Sequence, residues 1–157
     1  MSTTAFPHNV LHSMSASLTG LTNVSGTKLR RLEMADANNL AGIYATRWEP
    51  GKFHIRSGQR APMTAKYHYE IQHVHRSADS ATGHEFSVDV AREIRQLLYR
   101  DAALDTAIQA LSETASGLTE STLRWGTSGQ TLWSKEGGKG QFLHVSVTSF
   151  WVETQTA

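Results

Sequence analysis

Two histidines one residue apart, His73-Val74-His75, are the residues of this chain whose type and spacing come nearest to chemistry. In an extended segment such a pair projects from one face. Neutral imidazole is the commonest protein metal ligand, so the pair supplies two of the ligands that a zinc site takes. A third ligand has to converge from elsewhere. His54, His84 and Glu85 are the candidates, and none stands at a spacing characteristic of a metal motif. A small metal-dependent hydrolase using His73 and His75 is the lesser reading. The expectation is that the pair ends the inward face of a strand or lies at a subunit contact.

Other chemical signatures fail on their own terms. Gly137-Gly138-Lys139-Gly140 contains a Gly-Lys, but a phosphate loop needs G-x-x-x-x-G-K-[ST] opening a helix. Gly126-Thr127-Ser128-Gly129 lacks the glycine that a nucleophile elbow requires at position 130, where Gln130 stands. The chain has no cysteine, which removes disulfides, thiolate metal sites and cysteine nucleophiles. With no catalytic pair, triad or cofactor fingerprint, the expectation is a protein that is not an enzyme and takes no cofactor.

A basic and aromatic run, Arg47, Trp48, Lys52, Phe53, Arg56, Arg60, Lys66 and Tyr67, admits two explanations. Such residues can neutralise and stack on single-stranded nucleic acid, but no motif of an RNA-binding module accompanies them. Aromatic residues and arginine also dominate protein interfaces. That reading makes Arg47, Lys52, Phe53, Arg56 and Arg60 the candidate protein-contact residues. The formal net charge of +1 conceals a division. Residues 28–76 hold nine bases and four acids, a surplus of +5, and residues 77–157 hold six bases and ten acids, a balance of −4. Opposed halves suit complementary patches on identical subunits.

The elements that position these residues follow from periodicity. At 157 residues the expectation is one domain over 1–157. Val10, Met14, Leu18 and Leu21 share one helical face within Asn9–Leu21. Leu29–Met34 is a short extended candidate, and Leu40–Trp48 a stronger strand stopped by Pro50-Gly51. The basic stretch between Pro50 and Met63 is a short strand and turn or a long projecting loop, and loops of that length are often functional. Thr64–Arg76 alternates, with Ala65, Tyr67, Tyr69, Ile71, His73 and His75 on one face.

After a polar connection at Ser77–His84, Ser87 precedes a helix with Val90, Ile94, Leu97 and Leu98 on one side. Asp101 caps a second helix, with Leu104, Ala107, Ile108 and Leu111, that ends near Gly117. A kink or a continuous helix fits Tyr99–Asp101 equally well. Leu118–Trp125 and Thr131–Ser134 are strands, Gly137–Gly140 a hairpin turn, and Gln141–Val152 a long last strand with apolar residues on both faces. The expected class is α+β: a single mixed or antiparallel sheet with an N-terminal helix and a central helix pair packed on it. No apolar run reaches the ~20 residues of a membrane span, and no secretory signal is evident, so an intracellular soluble protein is expected.

The succession P-M-T-A-K-Y-H-Y-E-I-Q, then F-S-V-D-V-A-R-E-I-R-Q-L-L-Y-R-D-A-A-L-D-T-A-I-Q-A-L, then L-T-E-S-T-L-R-W-G-T-S-G-Q-T-L-W and Q-F-L-H-V-S-V-T-S-F-W-V-E-T resembles the tail terminator (tail completion) proteins of long-tailed bacteriophages. The likeness covers about residues 62–154 and is one of order and pattern. It implies a structural virion protein, a homohexameric ring subunit at the head-proximal end of the tail, assembled in the host cytoplasm. Such a ring caps the tail tube, stops its polymerisation and joins the tail to the head connector or stopper protein. Genomic DNA passes through the lumen without sequence-specific binding, and no membrane is involved. Another phage neck or tail-tube subunit is the alternative of the same kind. Replacing Arg56 and Arg60 by Glu in a phage encoding this chain is expected to leave the protein folded and to block tail–head joining. Normal infectious particles would remove the 50–63 loop from the contact surface.

Overall fold

The computed structural model describes residues 6–33, 36, 38–50, 63–111 and 121–156. Helix α1 (Phe6–Thr19) is followed by strands β1 (Gly26–Lys28), β2 (Leu40–Pro50) and β3 (Met63–Ser77). Helices α2 (Ser80–Arg100) and α3 (Ala102–Gln109) come next, and β4 (Ser121–Glu136) and β5 (Phe142–Thr156) close the chain. One five-stranded sheet has the order β1-β2-β3-β5-β4. β1 pairs parallel with β2, and the other pairings are antiparallel. The fold is therefore α+β with a mixed sheet, as the periodicity predicts.

The helices take one face of the sheet because their apolar stripes have to be buried. Val10, Met14 and Leu18 of α1, Val90 and Ile94 of α2, and Leu104 and Ile108 of α3 are all fully buried in one cluster with Ile43, Tyr69, Ile71, Phe150 and Val152 of the sheet. Removing such side chains from water is worth roughly 1.5–3 kcal/mol each. Tyr69 and Phe150 face each other across β3 and β5 with ring centroids 4.9 Å apart, and the Tyr69 hydroxyl donates to the Pro7 carbonyl at 3.1 Å, tying the start of α1 to the sheet. A smaller cluster, Val74, Leu143 and Val145, lies on the opposite face with Leu32 and Val147 against it.

Several sequence expectations need correction. Helix α2 starts at Ser80, capped by Asp79, whose side chain accepts from the Ala81 N–H, rather than after Ser87. Its first turns escape an apolar-periodicity search because they rest on polar side chains. The extended element near residue 30 is Gly26–Lys28, while residues 30–32 cross the outer face, where the Leu32 N–H donates to Gln72. Ser121–Trp125 and Thr131–Ser134 belong to the single strand β4, whose register shifts at a bulge between Thr127 and Gly129, and residues 118–120 lie outside the described residues. The helix pair breaks at Asp101, whose carboxylate accepts from the Leu104 N–H at 2.9 Å, and α3 stops at Gln109. The expected end near Gly117 and the loop residues 51–62 lie outside the described residues. The glycine hairpin is as expected, with Lys139, Gly138 and Gly140 at positive φ.

Gly83 fixes how closely α2 approaches the sheet. A Cβ there would run into Ser77 Oγ and His144 Nε2. Gly83→Ala is therefore expected to destabilise the fold by about 1–3 kcal/mol, because overpacking outweighs the helix propensity gained. Urea unfolding of the variant checks this, and an unchanged midpoint would show that α2 is free to shift.

Candidate functional site

The core-side face of β3 changes character along its length. Ala65, Tyr69 and Ile71 are apolar and buried, and His73 and His75 follow in the same alternation. The register continues this polar end onto β5, where His73 lies opposite Ser146 and His75 opposite His144. Helix α2 runs over them. Gly83 meets His144, and eight residues on, the Ala91 carbonyl accepts from Gln130, which also donates to Thr148. Four helical residues advance about 6 Å, so Ser87, buried as Ser146 is, falls between these anchors along α2. Beneath the first half of α2 lies a layer of imidazoles and hydroxyls instead of hydrocarbon.

Each member has a distinct environment. His144 is fully buried, with Nδ1 at 2.7 Å from Ser134 Oγ and Nε2 at 3.3 Å from Ser77 Oγ. His75 Nδ1 is 2.8 Å from Asn39 Oδ1, and its ring stacks on Phe86 at 4.1 Å. His73 is fully buried, and neither ring nitrogen makes a hydrogen bond, as is true of Ser87 Oγ and Ser146 Oγ. Burial opposes protonation of all three rings. It pushes His73 down to about 4, with His75 adding to the effect and the Asn23 backbone partly offsetting it. His75 is lowered by burial and then by His144, and His144 by burial and then by His84.

The His73–His75 pair thus shares a face, as its spacing requires, but the two rings serve different contacts. Among the described residues no group of three or more His, Cys, Asp or Glu is placed to hold a metal ion. His84 and Glu85 are exposed on α2, and His54 lies outside the described residues. Sequence reasoning missed His144, whose only signal was its register against His75.

The basic-aromatic run is split by the alternation of its strands. Trp48 and Tyr67 are paired across β2 and β3 on the helix-side face, stacked with centroids 6.0 Å apart, and Trp48 is 61% exposed. On the other face Arg47 bonds Glu49 at 2.6 Å, Glu49 stands 3.1 Å from His68 Nε2, and the Lys66 ammonium sits 4.5 Å over the Trp151 ring. Residues 45–49 of β2 are all exposed. Of the contact candidates, Arg47 is therefore at the surface, and Lys52, Phe53, Arg56 and Arg60 lie outside the described residues. A concave feature lies where α2 meets α3, lined by Tyr99, Asp101, Asp105, Trp125 and Thr127. Tyr99 bonds Thr127 and Trp125 bonds Asp105, both at 2.8 Å, which ties the helix break to β4.

No protein-family model matches the chain, and no curated protein matches it either. No helix among the described residues is long and apolar enough to cross a membrane.

The buried His73 makes stability pH-dependent in a definite direction. Its folded value of about 4 is below the usual 6.5, so between those values the unfolded chain binds the extra proton. The contribution is complete above pH 6.5 and is lost as pH falls toward 4, up to about 3 kcal/mol. Urea midpoints measured from pH 7 to pH 4 should fall less steeply in His73→Leu than in the parent chain, and parallel curves would count against it.

Proposed function

We propose that this chain is a structural virion protein, a ring-forming subunit of the tail terminator kind that closes the head-proximal end of a phage tail tube. The observation that carries this reading is the β2–β3 arm. Two long paired strands leave residues 45–49 exposed, with Trp48 at 61% exposure on one face and Arg47, Glu49 and His68 on the other. A large exposed aromatic on a strand whose other face carries charged groups has the composition of a protein interface. The element order also supports the reading: an N-terminal helix, a long strand feeding a broken helix pair, and a long terminal hairpin on one sheet. On this reading the partners are further copies of the chain, the tail tube protein and the head connector or stopper protein. DNA crosses the lumen without being read, and the chemistry of the ring is assembly rather than catalysis.

The enzyme reading rests on His73 and His75. His73 is buried and held neutral under α2, and the partly buried His75 is shifted in the same direction, which supplies a packing role without a reaction. The two readings separate in one preparation of untagged protein. Light-scattering mass and electron microscopy should show rings, either of the protein alone or formed on added tail tubes, and metal analysis should show no stoichiometric ion. A strict monomer in the presence of tubes, or a bound metal at one per chain, would overturn the assignment.

A further inference from the structure

The sheet has two free edges among the described residues. β4 is the terminal strand, and β1 covers β2 only at Leu40–Gly42, leaving the outer half of β2 unpaired on that side. The pairings also set direction. β2 is antiparallel to β3, β3 to β5 and β5 to β4, so β2 and β4 run oppositely. A second copy placed edge to edge in the same orientation therefore meets β4 with an antiparallel β2.

What these edges carry is complementary. On the face away from the helices, one row of directly opposed residues reads Glu49, Lys66, Glu153, Arg124 from β2 to β4. The signs alternate strand by strand, with a carboxylate at one free edge and a guanidinium at the other. Opposite charges facing across strands stabilise pairing, and like charges oppose it. The neighbouring row on the helix side reads Trp48, Tyr67, Val152, Trp125, with a tryptophan at each edge. Joining β4 to the β2 of a following copy at the same level extends the charge alternation without interruption and sets Trp125 beside the exposed Trp48. A two-fold arrangement of β4 on β4 at this level would instead oppose like residues.

We propose that copies of this chain associate head to tail through these edges, Arg124–Gly126 of one pairing with Arg47–Glu49 of the next, with Arg124 opposite Glu49 and Trp125 opposite Trp48. The contact is bounded. Pro50 has no N–H to extend the ladder on one side, and bulges at Ala45/Arg47 and Thr127/Gly129 interrupt both edges on the other. Bulges of this kind end pairing and limit runaway edge association. A head-to-tail contact closes into a ring when its rotation permits. This rests on the ring reading only in requiring that copies associate, and it names the surface that joins them.

The absence of cysteine gives a clean test. Facing residues in an antiparallel pair have Cα atoms about 4.5–5.5 Å apart, within disulfide range. Full-length Glu49→Cys/Arg124→Cys should form a ladder of disulfide-linked multimers on oxidation, each single variant should stay uncrosslinked, and an equimolar mixture of the singles should stop at the dimer. Arg47→Cys/Gly126→Cys, which retains Glu49 and Arg124, should give the same ladder. Disulfide dimers from one single variant alone would show a two-fold edge contact and overturn the proposal. Assembly by light scattering with no ladder from either double variant would overturn this interface and leave the ring reading standing. Monomers throughout, with or without tail tubes, would remove both.

Discussion

The register of β3 against β5 is the constraint on which the rest of the structure depends. The two fifteen-residue strands pair along their whole length, Met63 with Thr156 through Ser77 with Phe142. Because side chains alternate, one residue of slip would turn the helix-side set of side chains onto the opposite face. The same register places Tyr69 on Phe150, His75 on His144 and Lys66 on Glu153. Core, imidazole layer and charged row are consequences of one alignment.

Helix α2 reads that alignment from above. Its second half lays Val90, Ile94, Leu97 and Leu98 on hydrocarbon, while its first half sets Gly83 and Ser87 over imidazoles and hydroxyls. Hydrocarbon burial holds the first contact with little directional demand. The polar layer demands more, because buried donors and acceptors are costly unless satisfied. Staying neutral spares the rings the cost of a buried charge, while the nitrogens of His73 and the hydroxyls of Ser87 and Ser146 are buried without hydrogen bonds. A metal would hold such rings in a common coordination sphere, whereas here His75 bonds Asn39 and His144 is shared between Ser77 and Ser134.

On the other side of the sheet the constraint is different. The outer face is covered in part by Leu32 and its neighbours, and its small cluster of Val74, Leu143 and Val145 is buried without a helix over it. The remainder includes Arg47, Glu49, Lys66, Trp151, Glu153 and Arg124 and, among the described residues, ends at two unpaired edges. An exposed edge is ordinarily a hazard, and the bulges near both edges limit it. The proposed function and the proposed self-contact use the β2 and β4 edges, whose charged groups lie on this face and whose tryptophans lie on the helix side.

The sequence by itself determined the element types, the apolar faces of α1, α2 and α3, the alternation of β3, the Asp101 break point as a possible cap, and the glycine hairpin. Each is a local periodicity or a turn residue, and those depend on neighbours in the chain. It also put His73 and His75 on one face. Only the tertiary structure decided what faced them. His144 is distant in sequence and joins the pair through strand register, and Ser87 through the crossing of α2. The start of α2 was hidden for the same reason, since its first turns carry no apolar stripe to detect. Arg47, a contact candidate, and Trp48 stood side by side in the basic and aromatic run, and strand alternation sent them to opposite faces. Glu49 and Arg124 became the ends of one row because strand order is a long-range property that no local pattern encodes.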